Sequence, residues 1–222
     1  EGIKSVTEFI HSDYFVNTVY CTENLVPKLA NLSQKTKVNE ISQADLSRIS
    51  TLSSPQGILA LVEIPDDREI QSVNTTGTFT LALDSVQDPG NLGTIIRTAD
   101  WFGFEQIICS DDCVEAYNPK VVQATMGSLS RIKIIYTDLP SILRQSKVPV
   151  FGAVLDGTPI TSTEFGHEGI ILLGNEGNGI SEAVAKEITN RVTIPGLGKA
   201  ESLNVAVSAS LFCYEVKRNI LK

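Results

Sequence analysis

Cysteine and histidine are scarce, with four and two in 222 residues. The cysteines (Cys21, Cys109, Cys113, Cys213) form no CxxC pair, and with so few histidines a zinc site is not expected. Reduced, mostly buried thiols are the simpler reading. Long apolar runs are also missing: none reaches the ~18 residues of a membrane span, and no charged-then-apolar leader opens the chain. A cytoplasmic protein with no membrane partner is therefore expected. No GxxxxGK[ST] stretch occurs, so phosphate binding by that loop is excluded. The single methionine, Met126, is internal, and the chain is expected to lack native residues at its start. Basic residues are in deficit, 18 against 26 acidic, for a formal net charge of −8. Residues 1–64 carry 5 basic and 7 acidic side chains and the rest 13 and 19, so neither part reads as a strongly basic nucleic-acid module.

What is present is the composition of a folded chain, 42% hydrophobic and 20% charged. Residues 1–64 alternate short helical and strand patterns. Ile3, Val6 and Ile10 recur at helical spacing, YFVNTVYC is β-branched and aromatic, ENLVPKLANL returns to helix, and GILALVEI is a buried-strand run. A small α/β sandwich is expected there. Residues 65–77 are polar, contain Pro65 and Gly77, lack apolar periodicity, and read as a linker. From residue 78 onward, apolar strands alternate with helices: FTLALD, EQIICS, RIKIIYT, VPVFGAVLD, GIILLG and RVTIP, with the last helix at 202–218. This pattern predicts an α/β domain, a mostly parallel sheet with helices on both faces. Ligands of such sheets sit beyond the carboxyl ends of the strands, which directs attention to the loops after Asp84, Leu155, Leu173 and Ile194.

The first loop opens DPGNLGTIIRTADWFG, where Asp88-Pro89-Gly90 is turn chemistry and Asn91 stands at the expected N-cap. On the helix that follows, Leu92, Ile95, Ile96, Ala99 and Phe102 share one side. Arg97 lies almost opposite, beside Thr94 and Trp101, and faces solvent, a partner or a substrate. In LLGNEGNGIS, Gly174, Gly177 and Gly179 permit positive φ or close approach of a ligand, and Asn175 and Glu176 supply polar groups; a plain strand-to-helix turn with Ser181 as cap explains the same letters. The spacing is GxxGxG rather than the GxGxxG of dinucleotide sites, which counts against a nicotinamide-dependent oxidoreductase. IPGLGKAESLNVAVSAS breaks after a strand and enters a helix that is apolar nearly all round and so expected to be buried, capped by Ser202 with Asn204 near its start. VLDGTP at 154–159 reads as an ordinary turn.

Together and in this order, the three motif segments closely resemble those of the SpoU (TrmH-type) RNA ribose 2′-O-methyltransferases of the SPOUT superfamily, over about 140 residues. EGIKSVTEFI is similar to the start of the small substrate-binding domain, related to a ribosomal-protein fold, of the longer members. The resemblance implies a deep trefoil knot, which general rules of chain topology disfavour. It also implies methyl transfer from S-adenosylmethionine, leaving S-adenosylhomocysteine, without a metal. Arg97 would be the central catalytic residue, with Asn91, Glu176, Ser202 and Asn204 around it. Leu155, Leu173, Gly174, Gly177, Ile194, Gly196 and Leu203 would line the cofactor pocket. Because a guanidinium stays protonated below pH ~12, Arg97 is expected to position the ribose-phosphate and stabilise alkoxide charge rather than act as a base. One departure is Gly196, where methionine commonly follows the proline; it is expected to weaken cofactor binding. The implied partners are RNA, ribosomal more than transfer RNA, and a second copy of the chain through the knotted domain. A basic cleft of Arg97, Lys120, Arg131 and Lys133 across the dimer is the expected phosphate contact. A non-catalytic RNA-binding or ribosome-associated protein of the same fold is the competing class.

Overall fold

The computed structural model describes residues 1–29, 36–65 and 73–218. The N-terminal part contains α1 (Ile3–Ile10), β1 (Val16–Cys21), a 3-10 turn (Glu23–Leu25) leading into α2 (Val26–Leu29), β2 (Lys37–Glu40), α3 (Gln43–Ile49) and β3 (Ile58–Val62). The strand order is β2-β1-β3, with β1 parallel to β2 and antiparallel to β3. Val6 and Phe9 of α1 are buried in the core, which supports the α/β reading of this part. β2 and α3 were not anticipated, because KVNE carries too few apolar residues and QADLSRI buries only Leu46. The expected linker at 65–77 falls largely outside the described residues.

The second part runs β4 (Phe79–Leu83), α4 (Pro89–Trp101), β5 (Gln106–Cys109), α5 (Pro119–Thr125), β6 (Lys133–Tyr136), α6 (Leu139–Gln145), β7 (Val150–Pro159), β8 (Gly169–Leu173), α7 (Glu182–Ala185), β9 (Asn190–Thr193) and α8 (Val205–Lys217). Its six strands are all parallel, in the order β6-β5-β4-β8-β7-β9. Every residue of β4, β5 and β8 is buried, as a sheet covered on both faces requires. Side chains of a strand alternate between faces. Accordingly Leu81 and Leu83 join the core that includes Ile95, Ile96 and Phe212, while Ala82 joins Leu139, Leu143 and Val184 on the other face.

Three local readings are corrected. Asp88, not Asn91, caps α4: its carboxylate accepts the Asn91 N–H at 2.8 Å and Pro89 opens the helix, where a missing N–H costs nothing. Asn204, not Ser202, caps α8, accepting the Ala206 and Val207 N–H groups at 2.9 and 3.3 Å. VLDGTP is no turn but the extended outer half of β7, whose register to β9 jumps between Ala153 and Thr158.

The N-terminal part and the parallel-sheet part share one continuous core. Arg131 bridges Glu8 of α1 and Asp100 of α4, and the Tyr14 and Tyr117 hydroxyls meet at 3.1 Å. Among the described residues no helix is long and apolar enough to cross a membrane.

Candidate active site

The sheet reverses its direction of winding between β4 and β8, and the loops that leave these neighbouring strands meet there, as the switch-point rule expects. Asp84, only 3% exposed, donates its N–H to Leu173 O at 2.9 Å and accepts the Ser181 N–H on its carboxylate at 2.7 Å. Asn175 donates its side-chain amide to Ser85 O at 2.7 Å. The two loops are thus joined by side chains as well as by the sheet.

A second connection brings the third segment in. Asn204 Oδ1 is committed to the first amides of α8, so its Nδ2 turns outward and donates to Asn91 Oδ1 at 2.9 Å. Asn91 therefore presents its own Nδ2 to Glu176 Oε1, at 2.7 Å. Direction is fixed at every step by the helix N-terminus, and the chain ends on a carboxylate. α4 and α8 lie side by side in the same sense, because Asn91 pairs with Asn204, Thr98 with Ser210 at 3.3 Å and Phe102 with Tyr214 at 6.4 Å between ring centroids. Both N-termini therefore open at the carboxyl edge of the sheet. Two aligned helix dipoles favour negative charge there, which suits Glu176 and an approaching anion.

Arg97 is exposed on the third turn of α4. Of the six described arginines, Arg48, Arg131, Arg144, Arg191 and Arg218 are each held by an intrachain carboxylate, whereas no described carboxylate pairs with Arg97. Its charge remains available to an external anion. Neither Arg97 nor Ser202, which is exposed next to Leu203 and Asn204, is hydrogen-bonded to the Asn204–Asn91–Glu176 chain. Arg131 is neutralised by Asp100 and Glu8, and Lys133 opens β6 at the amino edge of the sheet, opposite the loops.

The residues expected to line a cofactor pocket lie at the carboxyl edge in three stretches. Leu155 sits in the outer part of β7, 77% exposed, and its carbonyl accepts the Thr193 hydroxyl at 3.1 Å, tying it to the end of β9. Leu173 is buried at the end of β8. Gly174 follows, packed so closely that an added Cβ would overlap main-chain atoms of Gly179 and Ile180. Gly177 makes no such demand: an added Cβ would meet only Asn175 Oδ1, at 3.5 Å. The tight glycine is therefore Gly174, with Gly179 at φ +69° closing the turn by paired backbone bonds to Asn175. Ile194 is half-buried against the core, whereas Gly196 and Leu203 are exposed. No backbone hydrogen bond is made by residues 196–203 with any described residue. Open main-chain donors and acceptors among exposed leucines suit a flat heterocycle with a polar edge. The sequence reading missed Asp84, Ser85 and Asp88. Their signal was an acid at a strand end and an acid directly before Pro-Gly.

Residues 78–214 match the model of the SpoU rRNA methylase family, and residues 1–60 that of the MRM3-like substrate binding domain. The chain belongs to the SpoU family. Among its relatives, the 23S rRNA (guanosine(2553)-2'-O)-methyltransferase RlmP of Bacillus subtilis is 31% identical over 98% of this chain and 87% of its own length. The 23S rRNA (guanosine-2'-O-)-methyltransferase RlmB of Acinetobacter baylyi is 31% identical over 83% and 79%. An AdoMet-bound rRNA methyltransferase from Sinorhizobium meliloti superposes with a TM-score of 0.87 at 29% identity, covering 100% of this chain and 87% of that one. A TrmH-family protein from Porphyromonas gingivalis does so with 0.86 at 37%, covering 99% and 88%. In this SpoU chain the three family segments are those that the Asn204–Asn91–Glu176 chain connects.

Among the described residues no cluster of His, Cys, Asp and Glu could hold a metal ion. The described thiols are buried and free.

Proposed function

We propose that this protein transfers the methyl group of S-adenosylmethionine to a ribose 2′-hydroxyl of ribosomal RNA. The observation that carries the reading is the directed Asn204–Asn91–Glu176 chain, which joins the three segments at the carboxyl edge and turns one carboxylate toward it. The names of the relatives supply the RNA class. Leu155, Leu173, Gly174, Gly177, Ile194, Gly196 and Leu203 would hold the cofactor, which supplies an electrophilic methyl carbon on sulfonium. The protein's task is alignment and charge. Arg97, with no described carboxylate neutralising it, holds the ribose-phosphate by its planar fork and stabilises the oxygen as its proton passes to Glu176 and the methyl group leaves S-adenosylhomocysteine behind. Glu176, oriented by Asn91, accepts a hydrogen bond from the hydroxyl, and Ser202 completes the polar shell.

The finer features of the family belong to the same proposal. Residues 1–64 form the RNA-binding domain, related to a ribosomal-protein fold, 65–77 the linker and 78–222 the methyltransferase domain, whose C-terminal segment threads a trefoil knot. Two copies pair through that domain. Val207, Leu211 and Tyr214 recur at helical spacing on the exposed side of α8, and Trp101, 84% exposed, ends the neighbouring α4. Such a stripe is more apolar than a lone surface helix needs.

Incubating the full chain with methyl-labelled S-adenosylmethionine and unmodified ribosomal RNA, then mapping ribose methylation, tests the reading. A labelled 2′-oxygen at one position is expected. Cofactor binding without transfer to ribosomal RNA would favour the binding-only class, and label on a base would refute the chemistry.

A further inference from the structure

Resting on the assignment of residues 174–179 to the cofactor wall, we propose that Asn175 and Ser85 are positioning residues that hold this loop in its binding shape before S-adenosylmethionine arrives. Asn175 uses every polar group it has. Its Oδ1 accepts the N–H groups of Gly177 and Asn178 at 2.9 and 3.0 Å, and its backbone exchanges two bonds with Gly179. Those contacts fix the amide's orientation, so Nδ2 points the other way and donates to Ser85 O. Glu176, Gly177, Asn178 and Gly179 are all exposed. Apart from the Asn91–Glu176 bond, the Asn175 side chain is the link that ties residues 174–179 to another part of the described structure.

Ser85 is built to receive that link. Its φ of +58° lies in the left-handed region, which non-glycine residues enter at a cost and keep only when surrounding contacts impose it. The contacts come from residues 110–114, which lie outside all three family segments. Ser110 Oγ accepts the Ser85 N–H at 2.8 Å, and Asp112 accepts the Ser85 hydroxyl. Cys113 Sγ accepts the Val86 N–H at 3.2 Å, and Val114 N–H binds Val86 O at 2.9 Å. Hydrogen bonds from the Ser110 and Ser85 hydroxyls also hold the Asp112 carboxyl below its ordinary range, so it stays an acceptor. The loop after β5 thereby holds Ser85, Ser85 holds Asn175, and Asn175 shapes the candidate cofactor loop. A loop ordered in advance binds more tightly because less ordering remains to be done on binding.

Three variants of the full chain, each checked for wild-type circular dichroism, separate this from a general packing role. Asn175→Asp keeps the Oδ1 turn but sets an oxygen against Ser85 O. Ser85→Val and Ser85→Gly both lose the hydroxyl that Asp112 accepts, but valine penalises the backbone angle whereas glycine adopts it freely. Calorimetry should show S-adenosylmethionine affinity reduced about tenfold in Asn175→Asp and in Ser85→Val, the size expected for one lost hydrogen bond that leaves a polar group unpaired. The double variant should lose no more than either single one, and Ser85→Gly should bind better than Ser85→Val. With ribosomal RNA as substrate, KM for the cofactor should rise while kcat at saturation stays. Asn175→Asp binding within twofold of wild type, additive losses in the double variant, or a fall in kcat alone would overturn the inference. Wild-type protein that binds no S-adenosylmethionine would instead sink the cofactor assignment and the inference with it.

Discussion

Gly174 and Gly177 lie three residues apart in one loop, yet substitution should act on them in opposite ways. An alanine Cβ at Gly174 would overlap the carbonyl carbon and oxygen of Gly179 and the amide nitrogen of Ile180. These are main-chain atoms of a closed turn, so relief requires the turn to open. Overpacking of this kind costs about 2 kcal/mol or more, which for a chain of 222 residues lowers the melting midpoint by about 4–8 °C. At Gly177 the nearest atom stands at 3.5 Å, an ordinary contact, and φ lies outside the left-handed region. Gly177→Ala should therefore leave stability within about 0.5 kcal/mol of wild type. If the cofactor approaches the main chain there, the added methyl should still weaken S-adenosylmethionine binding about tenfold, roughly 1.4 kcal/mol. Differential scanning calorimetry and titration calorimetry on both variants decide the matter. Wild-type melting of Gly174→Ala would refute the packing argument, and undiminished affinity of Gly177→Ala would place the cofactor elsewhere.

Arg97→Lys should cut methylation of ribosomal RNA by about 100-fold with little change in RNA affinity, because an ammonium keeps the charge but not the planar fork; near-wild-type turnover would show that geometry is dispensable. Asn204→Ser should keep the cap of α8, and thus the melting midpoint within about 2 °C, yet lose the amide that orients Asn91; wild-type activity would mean that the hydrogen-bond chain is idle. The Cys113 thiol is lowered from 9.0 to about 7, chiefly by a hydrogen bond from Cys109. The folded protein then releases this proton before the unfolded chain does, so stability should rise between pH 7 and 9, and Cys113→Ser should flatten that rise in denaturant titrations. RNA affinity measured by anisotropy should fall only gently with salt, with a log–log slope of about −2 to −3 for three or four phosphate contacts; a slope of about −6 would refute so small a phosphate footprint.

The architecture was legible because burial on both faces leaves a plain mark: FTLAL, QIIC and GIILL are apolar at every or nearly every position, and all are central strands. The helix starts were less legible. Asp88 and Asn91 are both good caps by type, as are Ser202 and Asn204, and only the tertiary position of α4 and α8 decides between them. α8 reads as apolar all round, yet Val207, Leu211 and Tyr214 are exposed, because composition cannot say which apolar face meets the sheet. The role of Asn175 was invisible for a different reason. Its partner Ser85 lies 90 positions away and offers a carbonyl, which every residue has.

The same limit explains how an acidic chain can be read as an RNA enzyme. Net charge counts Arg131, Arg144 and Arg191 as cations, but each is held by a carboxylate of the chain, and these pairs staple elements together: α1 and α4 to Arg131, α6 to the segment after α7, the outer half of β7 to β9. A guanidinium paired in this way pulls less on a phosphate than a free one, although exposed pairs are individually weak. Removing both partners of a one-to-one pair from the sum leaves the net charge unchanged. What decides the field is the charge left unpaired and the dipoles aligned with it. Arg97 stands on α4, whose N-terminus opens beside that of α8 at the same edge of the sheet. Among the described arginines, an anionic backbone is thus met by one guanidinium without a carboxylate partner and by two helix N-termini, while the surplus acids elsewhere disfavour non-specific nucleic-acid binding. Under the proposed division of the chain, selection among RNAs then comes from shape and from residues 1–60.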